Sequence, residues 1–236
     1  RLHAELPGGE NLSSIYDYQY LAGRRAGVDY RLGEAATADS VLALAPDAVL
    51  LATGATAAPP AWVPAEYLEI GAVPDARAMA RDMLGRSGRE PGRVVLFDQD
   101  HTEMTYALAE LLTARFEAVS IVTPRERIAS DVSLINRQGI YQRLYARGVQ
   151  LVTSCTPRDL DALEEAALDV VNVYSGAVTR LPDVVAVTYA TSRVPDNVLA
   201  APLAAAGIEV IPIGDCRAPR TVLAATREGY EVALAL

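Results

Sequence analysis

The run Val210-Ile211-Pro212-Ile213-Gly214-Asp215, followed by Cys216-Arg217-Ala218-Pro219-Arg220 and a helical pattern from Thr221, decides the reading of this chain. An apolar strand that ends in Gly-Asp before a helix sets a carboxylate and backbone N–H groups at one edge of a sheet. A second apolar run, Asp47-Ala48-Val49-Leu50-Leu51-Ala52-Thr53-Gly54-Ala55, ends in small residues that let a ligand approach the backbone closely. The two are expected to be neighbouring strands of one sheet, with an edge suited to a nucleotide.

Outward from these strands the chain alternates strands and helices. A helix is predicted over 13–26, a short strand over 28–32, a turn of helix from Thr37, and an Ala- and Pro-rich crossing between domains over 57–64. A helix over 75–84 and a Gly-rich connection over 85–92 lead into a second series: strand 93–98, helix 102–115, strand 118–123, helix 134–147 and strand 150–154. That order predicts a parallel sheet with right-handed crossovers. Segments 170–174 and 184–189 read as a hairpin returning the chain to the first sheet, 160–167 is ambiguous between helix and connector, and 198–206 and 221–236 read as helices.

Composition narrows the function. The chain has 236 residues, 51% of them hydrophobic, a formal charge of −9 and no lysine, and this acidic balance argues against nucleic acid or an anionic membrane as partner. No apolar run approaches the ~20 residues of a membrane span, and no leader pattern opens the sequence, so a cytoplasmic protein is expected. Cys155 and Cys216 lie far apart, without a CxxC pair or a histidine at ligand spacing, so no metal or dithiol site is expected. His3 and His101 are the two histidines, and neither shows a Ser or Cys nucleophile with an ordered carboxylate around it. No catalytic residue is assigned.

Leu6-Pro7-Gly8, Tyr18-Gln19-Tyr20 with Arg24-Arg25, the Ala52-Thr53-Gly54 strand end, Gly214-Asp215 and Ala218-Pro219-Arg220 together resemble the C-terminal region of the trimethylamine dehydrogenase and 2,4-dienoyl-CoA reductase group. The resemblance covers nearly the whole chain and is weakest between Ala57 and Arg89. It implies an α/β fold of two Rossmann-like dinucleotide-binding domains, the first incomplete at its N-terminus and interrupted by the second. Residues 1–57 and 186–236 would form the FAD- or ADP-binding domain, and 58–185 a linker and an NAD(P)-type domain. The opening at Arg1, without a strand, Gly-rich turn and helix, is read as a fragment that begins after that unit.

The resemblance also implies roles. Ala52, Thr53 and Gly54 would pass beside adenosine or pyrophosphate, and Asp215 after Gly214 would accept a ribityl or ribose hydroxyl. Arg220 would meet flavin or phosphate, and Arg1 and Leu2 would touch ribose or flavin. Each has a plainer reading: a helix cap for Asp215, packing for the small strand end, a surface arginine, a frayed terminus. FMN, a 4Fe-4S cluster and substrate oxidation would belong to a missing N-terminal barrel, the expected partner alongside a possible homo-oligomer.

In the second domain the turn after strand 93–98 is Asp98-Gln99-Asp100-His101-Thr102-Glu103, with three carboxylates and no glycine. A pyrophosphate turn needs glycines for backbone access, so this domain is read as a scaffold that does not take NAD(P)H, despite Arg125 and Arg127 after the next strand. That favours the amine dehydrogenase branch. The alternatives are an NADPH-to-FAD relay of the dienoyl-CoA reductase kind and a non-catalytic scaffold.

Overall fold

The computed structural model describes residues 1–236. Its strands are β1 (Ala48–Leu51), β2 (Ala55–Ala57), β3 (Glu90–Asp98), β4 (Phe116–Val122), β5 (Gln150–Val152), β6 (Cys155–Pro157), β7 (Ala167–Asn172), β8 (Val178–Pro182), β9 (Val184–Ala190), β10 (Arg193–Pro195) and β11 (Glu209–Pro212). The helices are α1 (Ser13–Arg25), α2 (Ala38–Leu42), α3 (Ala65–Glu69), α4 (Ala76–Gly85), α5 (Glu103–Thr113), α6 (Leu134–Ala146), α7 (Ala200–Ala205) and α8 (Val222–Ala235). The fold is mixed α/β, with parallel and antiparallel sheets. It divides into two compact units, Arg1–Gly27 with Pro59–Ser192, and Val28–Ala58 with Arg193–Leu236.

The larger unit is built on a parallel sheet in the order β5-β4-β3-β9. Its central strand β3 is buried on both faces at Val94, Val95, Leu96 and Phe97, as expected for a strand covered on both sides. Leu108 and Leu112 of α5, Leu144 of α6 and Met79 and Met83 of α4 close one core with it. Asp75 starts α4 by accepting the N–H groups of Arg77 (2.7 Å) and Ala78 (3.1 Å), an N-cap that supplies two of the unpaired first-turn donors with a partner.

In this unit one expectation is corrected and one ambiguous segment is resolved. Segment 184–189 does not pair with 170–174: β7 pairs with β8, and β9 lies parallel beside β3. Asn172 turns the β7–β8 hairpin by accepting from the N–H groups of Tyr174 and Ser175, and Asp183, with φ +61°, then breaks the ladder before the apolar β9. The ambiguous segment is a 3-10 turn, Asp161–Glu165, ended by Ala166 in the left-handed conformation. Residues 1–27, read as part of the FAD- or ADP-binding domain over 1–57, fall in this unit, where Leu6, 1% exposed, inserts into the core.

In the smaller unit β1 and β11 form a parallel pair with Leu51 opposite Pro212, and β2 pairs antiparallel with β10. The strand expected over 28–32 is absent; Val28 and Leu32 are exposed and the segment makes no ladder. No helix is long and apolar enough to cross a membrane.

Candidate functional site

The parallel pairing carries the ends of β1 and β11 to one edge of the smaller unit. Ile213 N–H donates to the Leu51 carbonyl at 2.9 Å, so Ala52-Thr53-Gly54 and Gly214-Asp215 emerge side by side. Gly54 has φ +85° with no atom near the position of a side chain, leaving open space against the backbone. The Thr53 hydroxyl donates to the Asp196 carbonyl, and Asp196 N–H donates back to the Gly54 carbonyl at 2.9 Å. This exchange fixes the strand end against the segment after β10.

Asp215 sits in a 3-10 turn, Gly214–Cys216, that precedes α8. Its Oδ2 is paired with Arg193 Nη1, and its Oδ1 accepts the Arg220 N–H at 3.0 Å. It does not cap α8; Thr221 does, accepting the Ala224 N–H at 3.3 Å. The plainer reading of Asp215 as a helix cap is therefore replaced by a carboxylate held from two sides. Each oxygen retains a lone pair, so the carboxylate keeps the capacity to accept a further hydrogen bond.

Arg193 was not singled out in the sequence. It is the third group of this edge: 13% exposed at its side chain, it holds Asp215 and reaches the Arg220 carbonyl at 3.2 Å. Sequence spacing carries no sign of the contact, because Arg193 comes from β10 and Asp215 from the turn after β11. Glu228 of α8 was also missed. Its Oε2 accepts the Gly214 N–H at 2.8 Å, and its Oε1 pairs with Arg220. Those partners hold the Glu228 carboxyl below the usual carboxylate range.

The residue types at this edge are those a nucleoside diphosphate would need. Arg217 and Arg220 are donors of the kind phosphate oxygens take, here turned to Glu228, Arg193 is engaged with Asp215, Asp215 retains acceptor capacity, and Gly54 leaves the backbone open. Arg1 and Leu2 lie in the larger unit, where the Arg1 guanidinium stacks 5.2 Å from the Tyr16 ring centroid and Leu2 packs against the core.

In the larger unit the turn after β3 uses its own donors. Gln99 and Asp100 N–H groups donate to the Ala190 carbonyl at 2.8 and 3.1 Å, His101 N–H to Asp98 Oδ1 at 3.0 Å, and Thr102 N–H to Asp100 Oδ1 at 2.9 Å. Four successive backbone donors, those a pyrophosphate turn would offer, are thus taken. Behind them Asp98, His101 and Tyr106 are buried together. The Tyr106 hydroxyl donates to Asp98 Oδ2 at 2.6 Å and accepts the Ala129 N–H, and His101 Nδ1 lies 3.3 Å from that hydroxyl. Burial pushes Asp98 up to about 7 and lowers His101. This cluster escaped the sequence reading because its members stand three and eight positions along from Asp98 across a loop and a helix. No group of three or more His, Cys, Asp or Glu is arranged to hold a metal ion.

No protein-family model matches the sequence, and no curated protein matches it. Solved structures do match. Histamine dehydrogenase from Rhizobium sp. 4-9 aligns over 100% of this chain and 38% of its own, with 23% identity and a TM-score of 0.83. 2-Naphthoyl-CoA reductase aligns over 100% and 34%, at 21% identity and 0.82. The 6-hydroxypseudooxynicotine amine oxidase of Pseudomonas geniculata N1 aligns over 98% and 35%, at 20% identity and 0.83. The chain therefore spans little more than a third of each of these proteins. At these identities what is shared is the fold, which this chain has in common with a dehydrogenase, a reductase and an oxidase.

Proposed function

We propose that this chain is the C-terminal nucleotide-binding portion of a flavin-dependent oxidoreductase of the trimethylamine dehydrogenase kind, holding FAD or ADP on the β1–β11 edge. The observation that carries the reading is the meeting of Gly54, Asp215, Arg193 and Arg220 at the carboxyl ends of two parallel strands. That edge of an open α/β sheet is where such folds take nucleotides. Asp215 orients a ribose or ribityl hydroxyl, Arg193 holds the carboxylate in place, and Arg220 neutralises phosphate. These residues bind; substrate oxidation belongs to an FMN and iron-sulfur barrel elsewhere in the protein, which is also the partner this chain meets. The exposed α1, which buries none of its residues and shows Tyr18 at 74%, is the surface suited to that partner or to a second copy.

In this assignment the smaller unit, Val28–Ala58 with Arg193–Leu236, carries the FAD or ADP edge, and the larger unit supplies the second Rossmann-like domain, which does not take NAD(P)H. The solved structures include both histamine dehydrogenase and 2-naphthoyl-CoA reductase. The choice between branches therefore rests on the turn after β3, whose four consumed donors support the amine dehydrogenase side.

Equilibrium dialysis with FAD, ADP and NADPH tests the assignment. Binding of FAD or ADP that falls about tenfold in Asp215→Ala, the loss of roughly one hydrogen bond to a charged group, supports it. Binding of NADPH alone, or nucleotide binding that Asp215→Ala leaves unchanged, would overturn it.

A further inference from the structure

Three donors from one short stretch converge on a single side chain of the smaller unit. Gly214 N–H lies 2.8 Å from Glu228 Oε2, Arg217 Nη1 lies 3.5 Å from Oε1, and Arg220 Nη2 bonds the same oxygen. A backbone N–H with two guanidinium groups is a donor set for a phosphate group. Here a carboxylate fills it. Glu228 is 13% exposed at its side chain, while Arg217 and Arg220 are 65% and 48% exposed. The arginines can therefore swing to a ligand with no backbone change, whereas the Gly214 N–H is fixed by the turn.

We infer that Gly214, Arg217 and Arg220 form an anion site for the terminal phosphate of a nucleoside diphosphate, and that Glu228 is an internal competitor for it. This rests on the nucleotide reading of the β1–β11 edge. Two arginines against one carboxylate leave a single net positive charge, so a phosphate must displace Glu228 before it gains the full donor set. Asp215 is not displaced with it, because Arg193 and the Arg220 N–H hold that carboxylate separately. A ligand with a free, doubly charged terminal phosphate outcompetes the carboxylate better than one whose phosphates are both esterified. Glu228 thus makes the site select ADP over a larger dinucleotide.

The test is calorimetric titration of the 236-residue chain with ADP at low and moderate salt, in the wild type, Glu228→Gln and Arg220→Ala. Gln keeps an oxygen for the Gly214 N–H and removes the charge, which separates competition from support of the turn. Glu228→Gln should bind ADP about tenfold tighter, with a steeper fall in salt, as expected when one repulsive charge leaves a phosphate site. Arg220→Ala should weaken ADP binding. Unchanged or weaker binding in Glu228→Gln would overturn the inference, leaving Glu228 as support for the turn. Should that variant not fold, the wild-type Gly214 amide resonance decides: it should move with ADP and not with adenosine, and a fixed resonance during ADP binding overturns the proposal. Absence of ADP and FAD binding in every folded form would overturn the nucleotide reading itself, and this inference with it.

Discussion

The Tyr106 hydroxyl joins β3 to the segment after β4, donating to Asp98 and accepting from the Ala129 N–H in a fully buried site. Tyr106→Phe strands a buried carboxyl and a backbone donor together, so a loss of about 2–4 kcal/mol is expected in urea unfolding. A loss within experimental error of zero would mean that water reaches the cluster. Asp98 carries a pH signature. Its folded pKa is raised to about 7 by burial, so between roughly pH 4 and 7 the folded state keeps a proton that the unfolded chain releases. Stability from this group is present at acid pH and is lost as pH rises through 7. His101, lowered by burial, acts oppositely: its contribution is lost as pH falls below its ordinary value of 6.5. Asp98→Asn removes the first effect alone. The stability of wild type relative to the variant should therefore fall with rising pH, by at most about 1.4 kcal/mol per unit, as read from urea midpoints between pH 4.5 and 8. A gap that stays flat or widens would contradict the assignment. Gly214, at φ +62° with a would-be Cβ 3.3 Å from the Ala225 Cβ, should lose about 1–2 kcal/mol as Ala.

At the scale of elements, α5 and α6 are tied by Glu110, whose side chain is 2% exposed and pairs with Arg143 at 2.7 Å and Arg147 at 3.3 Å. A buried carboxylate that loses its main partner is costly, so Arg143→Ala should destabilise by about 1–3 kcal/mol. A double-mutant cycle with Glu110→Ala should recover at least about half of that as coupling; additive effects would show the pair to be incidental. The elements of this region were legible in the sequence because each has a strong period. The Val94-Val95-Leu96-Phe97 run and the apolar face of α5 leave little choice, and Asp75 marks the start of α4. Short elements were not legible. Val28, Tyr30 and Leu32 alternate as a strand does, yet no ladder forms there. The β8 strand Val178–Pro182, exposed at Val178 and Thr179, was hidden beside the more apolar β9, which drew the hairpin to the wrong partner.

For the whole molecule, the pairing of the β1 and β11 ends was legible because both strands end in small or acidic residues at the same edge. The groups that complete that edge were not. Arg193 and Glu228 act through contacts between elements distant in sequence, and an arginine in a short strand or a glutamate in a helix is unremarkable until the partner is in view. Nor was it legible that residues 1–27 join the larger unit, since a 3-10 segment with one inserted leucine has no period to read. The proposal on which the others depend is that the smaller unit holds a nucleotide. Acid extraction of the protein purified from its natural source, with mass identification of every released nucleotide, tests it most directly. ADP or FAD is expected in amounts approaching one per chain, with FMN beside it if the proposed barrel is present. FMN alone, or no nucleotide, would contradict it.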